Sequence, residues 1–206
     1  MDINISWYKK SSYESITKLS NEFDELRNII SKCEQCVLYK TRNKTVFGSG
    51  PSNSKIMIIG EAPGKDEDEQ GEPFIGRAGK LLDAFLQSID LSRDKVFITN
   101  TVKCRPPDNR NPSTDELNQC SSFLTSQINT VKPKVLILLG KVAANNLLDN
   151  DSSMSDLRQK KLFIDNYDIP VVVFYHPAYI LRSPLKKSEV WEDLKYLNNI
   201  LEENVC

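Results

Sequence analysis

The sequence is short of histidine, of net charge and of long apolar runs, and each shortage removes a class of function. His176 is the only histidine in 206 residues, so a metal centre built from several imidazoles is excluded. Positive and negative side chains nearly balance, 27 against 28, for a net charge of −1. A uniformly basic nucleic-acid-binding domain is excluded by that balance, although a local basic face is not. No apolar run approaches the ~20 residues of a membrane span. The N-terminus lacks a basic segment leading into an apolar core, so an intracellular protein with no membrane association is expected. There is no internal repeat and no low-complexity tract. A P-loop lysine is also absent, which argues against a nucleotide or phosphate hydrolase.

What is present suits one domain over residues 1–206, long enough for a full core, with an ordinary 39% hydrophobic and 27% charged content. Residues 1–12 read as a loose tail. Ile16, Leu19, Phe23, Leu26 and Ile30 follow helical spacing, so residues 13–36 form an N-terminal helix and a Cys33-x-x-Cys36 segment. Four β-branched or leucine-rich runs then read as buried strands. They are Ile56–Ile59, Val96–Thr99, Val135–Leu139 and Val171–Tyr175. Helical patterns separate them. One opens on Ser113-Thr114-Asp115-Glu116, a capping box, and another carries Val190, Leu194, Leu197 and Leu201. The stretch Asp149–Asp156 reads as a polar linker. Alternating strands and helices predict a three-layer α/β/α sandwich around a four-stranded, mostly parallel sheet.

Each strand ends in a polar or Gly/Pro motif, and ligands in such sheets bind beyond the carboxyl ends of strands. The first motif, Gly60-Glu61-Ala62-Pro63-Gly64, is foremost a backbone shape, with glycines that permit φ > 0 and a proline that fixes its own φ. The others are Lys103-Cys104-Arg105-Pro106-Pro107 after Asn100, Gly140-Lys141, and His176-Pro177-Ala178-Tyr179-Ile180-Leu181-Arg182. Lys103, Arg105, Arg110, Arg182, Lys186 and Lys187 lie in or beside these loops. They form either a local basic face or a merely solvated surface.

Of five cysteines, Cys33 and Cys36 precede the first strand, Cys104 follows the second, Cys120 lies on the next helix and Cys206 is terminal. Without a secretion signal, disulfides are not expected. Four cysteines, two at CxxC spacing, suit a tetrahedral thiolate site, and the spacing admits zinc or an iron–sulfur cluster. The plainer alternative makes Cys104 and Cys120 small core residues.

The motifs GEAPG followed by Glu67-Asp68, GEPFIGRAGKLL, ITNTVKCRPPDNRNP and HPAYILR, in this order, resemble the family 4 uracil-DNA glycosylases, the iron–sulfur branch of that superfamily. The resemblance spans about Cys33 to Arg182. It implies hydrolysis of the N-glycosidic bond of deoxyuridine in DNA, releasing uracil and leaving an abasic site. It also implies a 4Fe–4S cluster on Cys33, Cys36, Cys104 and Cys120, with zinc as the alternative. Uracil-containing DNA is the expected partner and a monomer the expected state; replication or repair proteins that would join it are not readable from the sequence.

The resemblance assigns roles residue by residue. Phe74 stacks on the extruded base. Asn100 at a strand end presents an amide that matches O4 and N3–H of uracil and mismatches cytosine. His176 hydrogen-bonds O2 as charge develops on the departing base. Ala62 stands where family 1 carries a carboxylate, which leaves Glu61 to orient water or stabilise the sugar cation. Glu67 would line the pocket near C5 and exclude thymine. Gly60 and its neighbouring glycines admit base or phosphate. Ile180 or Leu181 is the wedge that fills the gap left by the flipped nucleotide, and Lys103 and Arg182 hold phosphate. A non-catalytic cluster- or zinc-stabilised nucleic-acid-binding protein of the same fold is the competing reading.

Overall fold

Short, fully buried runs rich in β-branched residues build the centre of the molecule. The structure, a computed structural model, describes residues 22–164 and 167–205. The expected tail at 1–12, Ile16, Leu19 and Cys206 lie outside the described residues.

Helix α1 occupies 22–31 and turns Phe23 and Ile30 inward, with Leu26 half-buried, as its spacing predicts. The sheet is β1 (Ile56–Gly60), β2 (Val96–Asn100), β3 (Val135–Leu139), β4 (Leu162–Ile164) and β5 (Ile169–Phe174), in the order β2-β1-β3-β5-β4. The pairs β1–β2, β1–β3 and β3–β5 are parallel. The four expected strands are all present. The fifth, β4, pairs antiparallel with β5 at the sheet edge, and its three residues are too few for a periodic signal.

Strand alternation divides the core into two layers. Met57, Ile59, Phe97, Leu136, Leu138 and Val173 face α1 and α4 (Thr114–Val131). Ile58, Ile98, Ile137 and Val172 face α3 (Arg77–Gln87) and α8 (Lys187–Asn204). Both faces of a parallel sheet are covered by helices, so its strands read as continuous apolar runs. The capping box forms at α4, where Ser113 accepts from the Glu116 amide and Glu116 accepts from the Ser113 amide.

Two stretches differ from expectation. The acidic run after the GEAPG loop is a helix, α2 (Lys65–Gln70). Its acidic first turn suits the positive end of the helix dipole, and the Glu67 carboxylate accepts the Gly64 amide at 3.1 Å. The polar linker holds α6 (Met154–Leu157), pinned where Arg158 pairs with the buried Asp193 of α8. The helix after β3, α5, runs Lys141–Leu148, and α7, after β5, runs Pro177–Arg182. No described helix is long and apolar enough to cross a membrane.

Candidate active site

The β1 connection leads towards β2 and the β3 connection towards β5, so the chain reverses direction across the sheet between β1 and β3. A ligand crevice forms at such a point. The cleft there measures about 390 Å³, within the range of small-molecule sites. The loop after β1, the end of β2, the loop 106–111 and the start of α7 line it. Three of the four strand-end motifs therefore converge, whereas the loop after β3 turns directly into α5.

Gly60 and Asn100 pair across β1 and β2 at the strand ends. A Cβ on Gly60 would lie 2.5 Å from both Asn100 Oδ1 and Phe74 Cζ. This glycine is therefore required for close approach, not for a left-handed backbone, because neither Gly60 nor Gly64 has positive φ. Phe74 does, at φ 54°, a strained value for an aromatic residue. Its carbonyl presses on α3 at Gly79, where a Cβ would approach it to 1.6 Å. Arg93 donates to the carbonyls of Pro73 and Phe74 while pairing with Asp83 at 2.7 Å. The ring so fixed lies 5.6 Å from the His176 ring, tilted by 34°.

Asn100 is 1% exposed and its Oδ1 has no hydrogen-bond partner among the described residues. A buried unpaired acceptor costs ~1–3 kcal/mol, which a ligand donor reaching it would recover. Behind it sits Lys103, and here the sequence expectation fails. Lys103 is 1% exposed, and its ammonium donates to Thr99 Oγ1, to the Asn100 carbonyl and to Gln127 Oε1 at 2.8, 2.6 and 2.6 Å. Burial lowers its pKa to about 8, against the pull of the Cys120 and Cys104 thiols. It holds the backbone under Asn100 and cannot reach phosphate.

His176 caps α7. Its Nδ1 accepts from the Ala178 amide at 3.1 Å. An imidazole accepting at Nδ1 carries its proton on Nε2. Burial, reinforced by Arg182, lowers its pKa to about 4. At neutral pH it is thus an uncharged donor at the cleft wall.

The two candidate carboxylates differ. Glu61 lines the cleft, half-buried, with its carbonyl tied to Thr101 Oγ1 at 2.5 Å. No described residue donates to its carboxylate, and burial raises its pKa above the ordinary 4.5. Glu67 accepts the amides of Gly64, Ile75 and Gly76 at 3.0–3.1 Å. It borders the cleft, but its oxygens are spent joining the two loops that carry Ala62 and Phe74.

On α7, Ile180 is fully buried in the core and cannot enter DNA. Leu181 is 37% exposed, and Arg182 stands exposed at the cleft rim.

Cys33, Cys36, Cys104 and Cys120 are free and line one cavity between α1, α4 and the 103–104 segment, with Ile30 and Phe123 as apolar walls. Arg42 donates to Cys104 Sγ at 3.2 Å, and Lys103 borders the same cavity. Burial raises the Cys104 thiol to about 11 and raises Cys120 as well. Thiolates there need a bound cationic group, and the two flanking cations suit a net-negative thiolate complex. No three described Cys, His, Asp or Glu side chains are already arranged around a single ion.

Sequence reasoning missed Arg93, which lies 19 positions from Phe74 and meets it only through tertiary structure. It also missed the cleft-forming role of Arg110, whose fork grips Glu116 at 2.7 and 2.8 Å and so fixes the 106–111 wall. The Glu116 capping box was the available signal.

Residues 47–195 match the family model of the Uracil DNA glycosylase superfamily. A type-4 uracil-DNA glycosylase from Archaeoglobus fulgidus is 39% identical over 86% of this chain and 92% of its own length. One from Saccharolobus solfataricus is 40% identical over 88% and 87%, and one from Sulfurisphaera tokodaii is 37% identical over 87% and 85%. With a family model covering most of the sequence and relatives this similar over nearly their full lengths, the chain belongs to the uracil-DNA glycosylase superfamily, in its type-4 branch.

Proposed function

We propose that this protein is a DNA-repair uracil-DNA glycosylase that hydrolyses the N-glycosidic bond of deoxyuridine, releasing uracil and leaving an abasic site. The observation that carries the reading is the unpartnered Asn100 amide oxygen, 1% exposed at the floor of a cleft walled by Phe74 and His176.

The base must leave the stack to be cut. Extruded uracil lies against Phe74, with N3–H donating to Asn100 Oδ1 and O4 accepting from Nδ2. Cytosine inverts both groups and is rejected. As the C1′–N1 bond breaks, its electron pair moves onto the base, and charge develops at O2. The neutral His176 donates from Nε2 to that oxygen, a fixed dipole already in place before the reaction. Water adds to C1′ opposite the departing base, and the proton it sheds is matched by the one the uracil anion takes up on its release. Glu61 orients it and offsets the positive charge on the sugar, since its carboxylate is the one with lone pairs to spare. Glu67 acts by bracing the loops, and the exclusion of thymine at C5 falls to the wall it holds. Arg182 holds backbone phosphate.

The four cysteines support a 4Fe–4S cluster as the bound group, through the donor set and its flanking cations. Such a group would tie α1 to the Cys104 loop and takes no part in bond cleavage. We take the protein to act as a single-domain intracellular monomer on DNA. A non-catalytic DNA-binding protein would have no use for a base-reading amide and a neutral donor in one cleft. The test is incubation with a uracil-containing oligonucleotide followed by alkaline cleavage of abasic sites. Strand scission at the uracil, absent with cytosine or thymine there, is expected; an intact strand refutes the reading.

A further inference from the structure

Ile180 is buried, and Leu181, the other wedge expected from the sequence, is only 37% exposed on α7. A more prominent apolar side chain beside the cleft is the stronger candidate to enter the duplex. Leu185 is 95% exposed, the most exposed of the described large hydrophobic side chains. Single exposed leucines are common, so exposure alone means little. What sets Leu185 apart is its support. It sits mid-way in the one-turn 3-10 segment Pro184–Lys186 between α7 and α8. The Lys186 amide donates to the Ser183 carbonyl at 3.0 Å, and the Ser183 amide to the Tyr179 carbonyl at 2.9 Å. The Lys186 ammonium pairs with Glu189, which also accepts from the Tyr175 hydroxyl at 3.1 Å and from Arg158 at 2.5 Å. Arg158 in turn forks onto Asp193, which is fully buried. The backbone that carries the leucine is held on a stiff base, so little backbone ordering entropy remains to be lost when a partner covers the side chain.

The turn follows directly on the helix that His176 caps and whose Arg182 lines the cleft. Arg182 and Lys187 flank Leu185 in sequence, and neither is in an ion pair among the described residues. An apolar tip between two cations matches a stacked polyanion.

We propose that Leu185 enters the DNA duplex beside the extruded nucleotide, with Arg182 and Lys187 on the flanking phosphates. This rests on the uracil-excision reading above. An inserted side chain fills the space that the base vacates and so lowers the cost of keeping the stack open.

The test compares single-turnover uracil release from matched duplex and single-stranded oligonucleotides by wild type, Leu185→Ala, Leu185→Met, Leu181→Ala and Trp191→Ala. Trp191, 52% exposed on α8, controls for loss of any surface apolar group. A 2-aminopurine beside the uracil reports unstacking on binding, independently of cleavage. Leu185→Ala is expected to lose about tenfold or more on duplex alone, with its fluorescence rise, and Leu185→Met to recover both. Trp191→Ala should keep the duplex-to-single-strand ratio within about threefold, and Leu181→Ala, at the competing wedge position, should lose less of it than Leu185→Ala. An unchanged ratio for Leu185→Ala, an equal loss in Trp191→Ala, or an equal or larger loss in Leu181→Ala overturns the proposal. A wild type inert on both substrates overturns the excision reading instead, and the fluorescence rise still decides whether Leu185 inserts.

Discussion

His176 offers the most discriminating perturbation because two separable jobs meet in one ring. Replacing it with alanine removes the Nε2 donor from the charge that forms on uracil O2. Loss of one preorganised donor of this kind costs ~10²–10³ in rate, about 3–4 kcal/mol. The same change removes the acceptor for the Ala178 amide at 3.1 Å, a helix cap worth ~1 kcal/mol. For a chain of this length that is about 2–4 °C in Tm. His176→Asn restores a capping side chain but not the reach of Nε2, so it should recover the Tm and leave the rate low. The ionisation makes a second, sharper test. With the folded pKa at about 4 and an unfolded value near 6.5, the unfolded chain binds more protons between those two values. Stability therefore falls as pH drops from 6.5 towards 4, by about 3 kcal/mol from this group. The rate should show no histidine inflection near pH 6.5. Any acid loss above pH 4.5 belongs to Glu61, whose pKa is raised, and should vanish in Glu61→Gln. Single-turnover excision from pH 4.5 to 8 and thermal melts over the same range are the assays. A folded His176→Ala within threefold of wild type, or a wild-type inflection at 6.5 that this variant abolishes, refutes the neutral-donor role.

Asn100→Asp should weaken uracil excision and admit some cytosine, because a protonated carboxyl matches N4–H₂ and N3 of cytosine; an unchanged uracil rate and base preference would remove Asn100 from base reading. Lys103→Met should lower Tm by several degrees, since three buried acceptors lose their donor at ~1–3 kcal/mol each. It should leave the salt dependence of DNA binding unchanged, whereas Arg182→Ala should reduce that slope by about one. A reduced slope for Lys103→Met would return Lys103 to the phosphates. Protein purified anaerobically should be brown with iron and acid-labile sulfide near equal, and Cys33→Ser or Cys120→Ser should lose both. Colourless, fully active protein carrying stoichiometric zinc would refute the cluster. Cys206→Ser should change nothing, because the other four cysteines already complete a set.

The sequence by itself determined the layers and the chemistry. Four buried runs, each ending in a loop motif, are enough to predict a parallel sheet with a site at its carboxyl edge, because both faces of such strands must be apolar. The single histidine after β5, the amide at the end of β2 and the four cysteines were legible for the same local reason: each departs from what its element would otherwise contain. Only tertiary structure decided which polar side chains face the cleft and which face inward. Lys103 reads as a phosphate ligand until Thr99, Gln127 and the Asn100 carbonyl close around it. Ile180 and Leu181 are indistinguishable in sequence, yet one helical step puts the first in the core and the second at the surface. Glu67 looks like a catalytic carboxylate until three amides from two loops claim it. Arg93 carries no signal at all, since its partners Asp83, Phe74 and Pro73 lie 10, 19 and 20 residues away. Periodicity reports burial averaged over an element, whereas the partner of an individual charge depends on which distant segments fold against it.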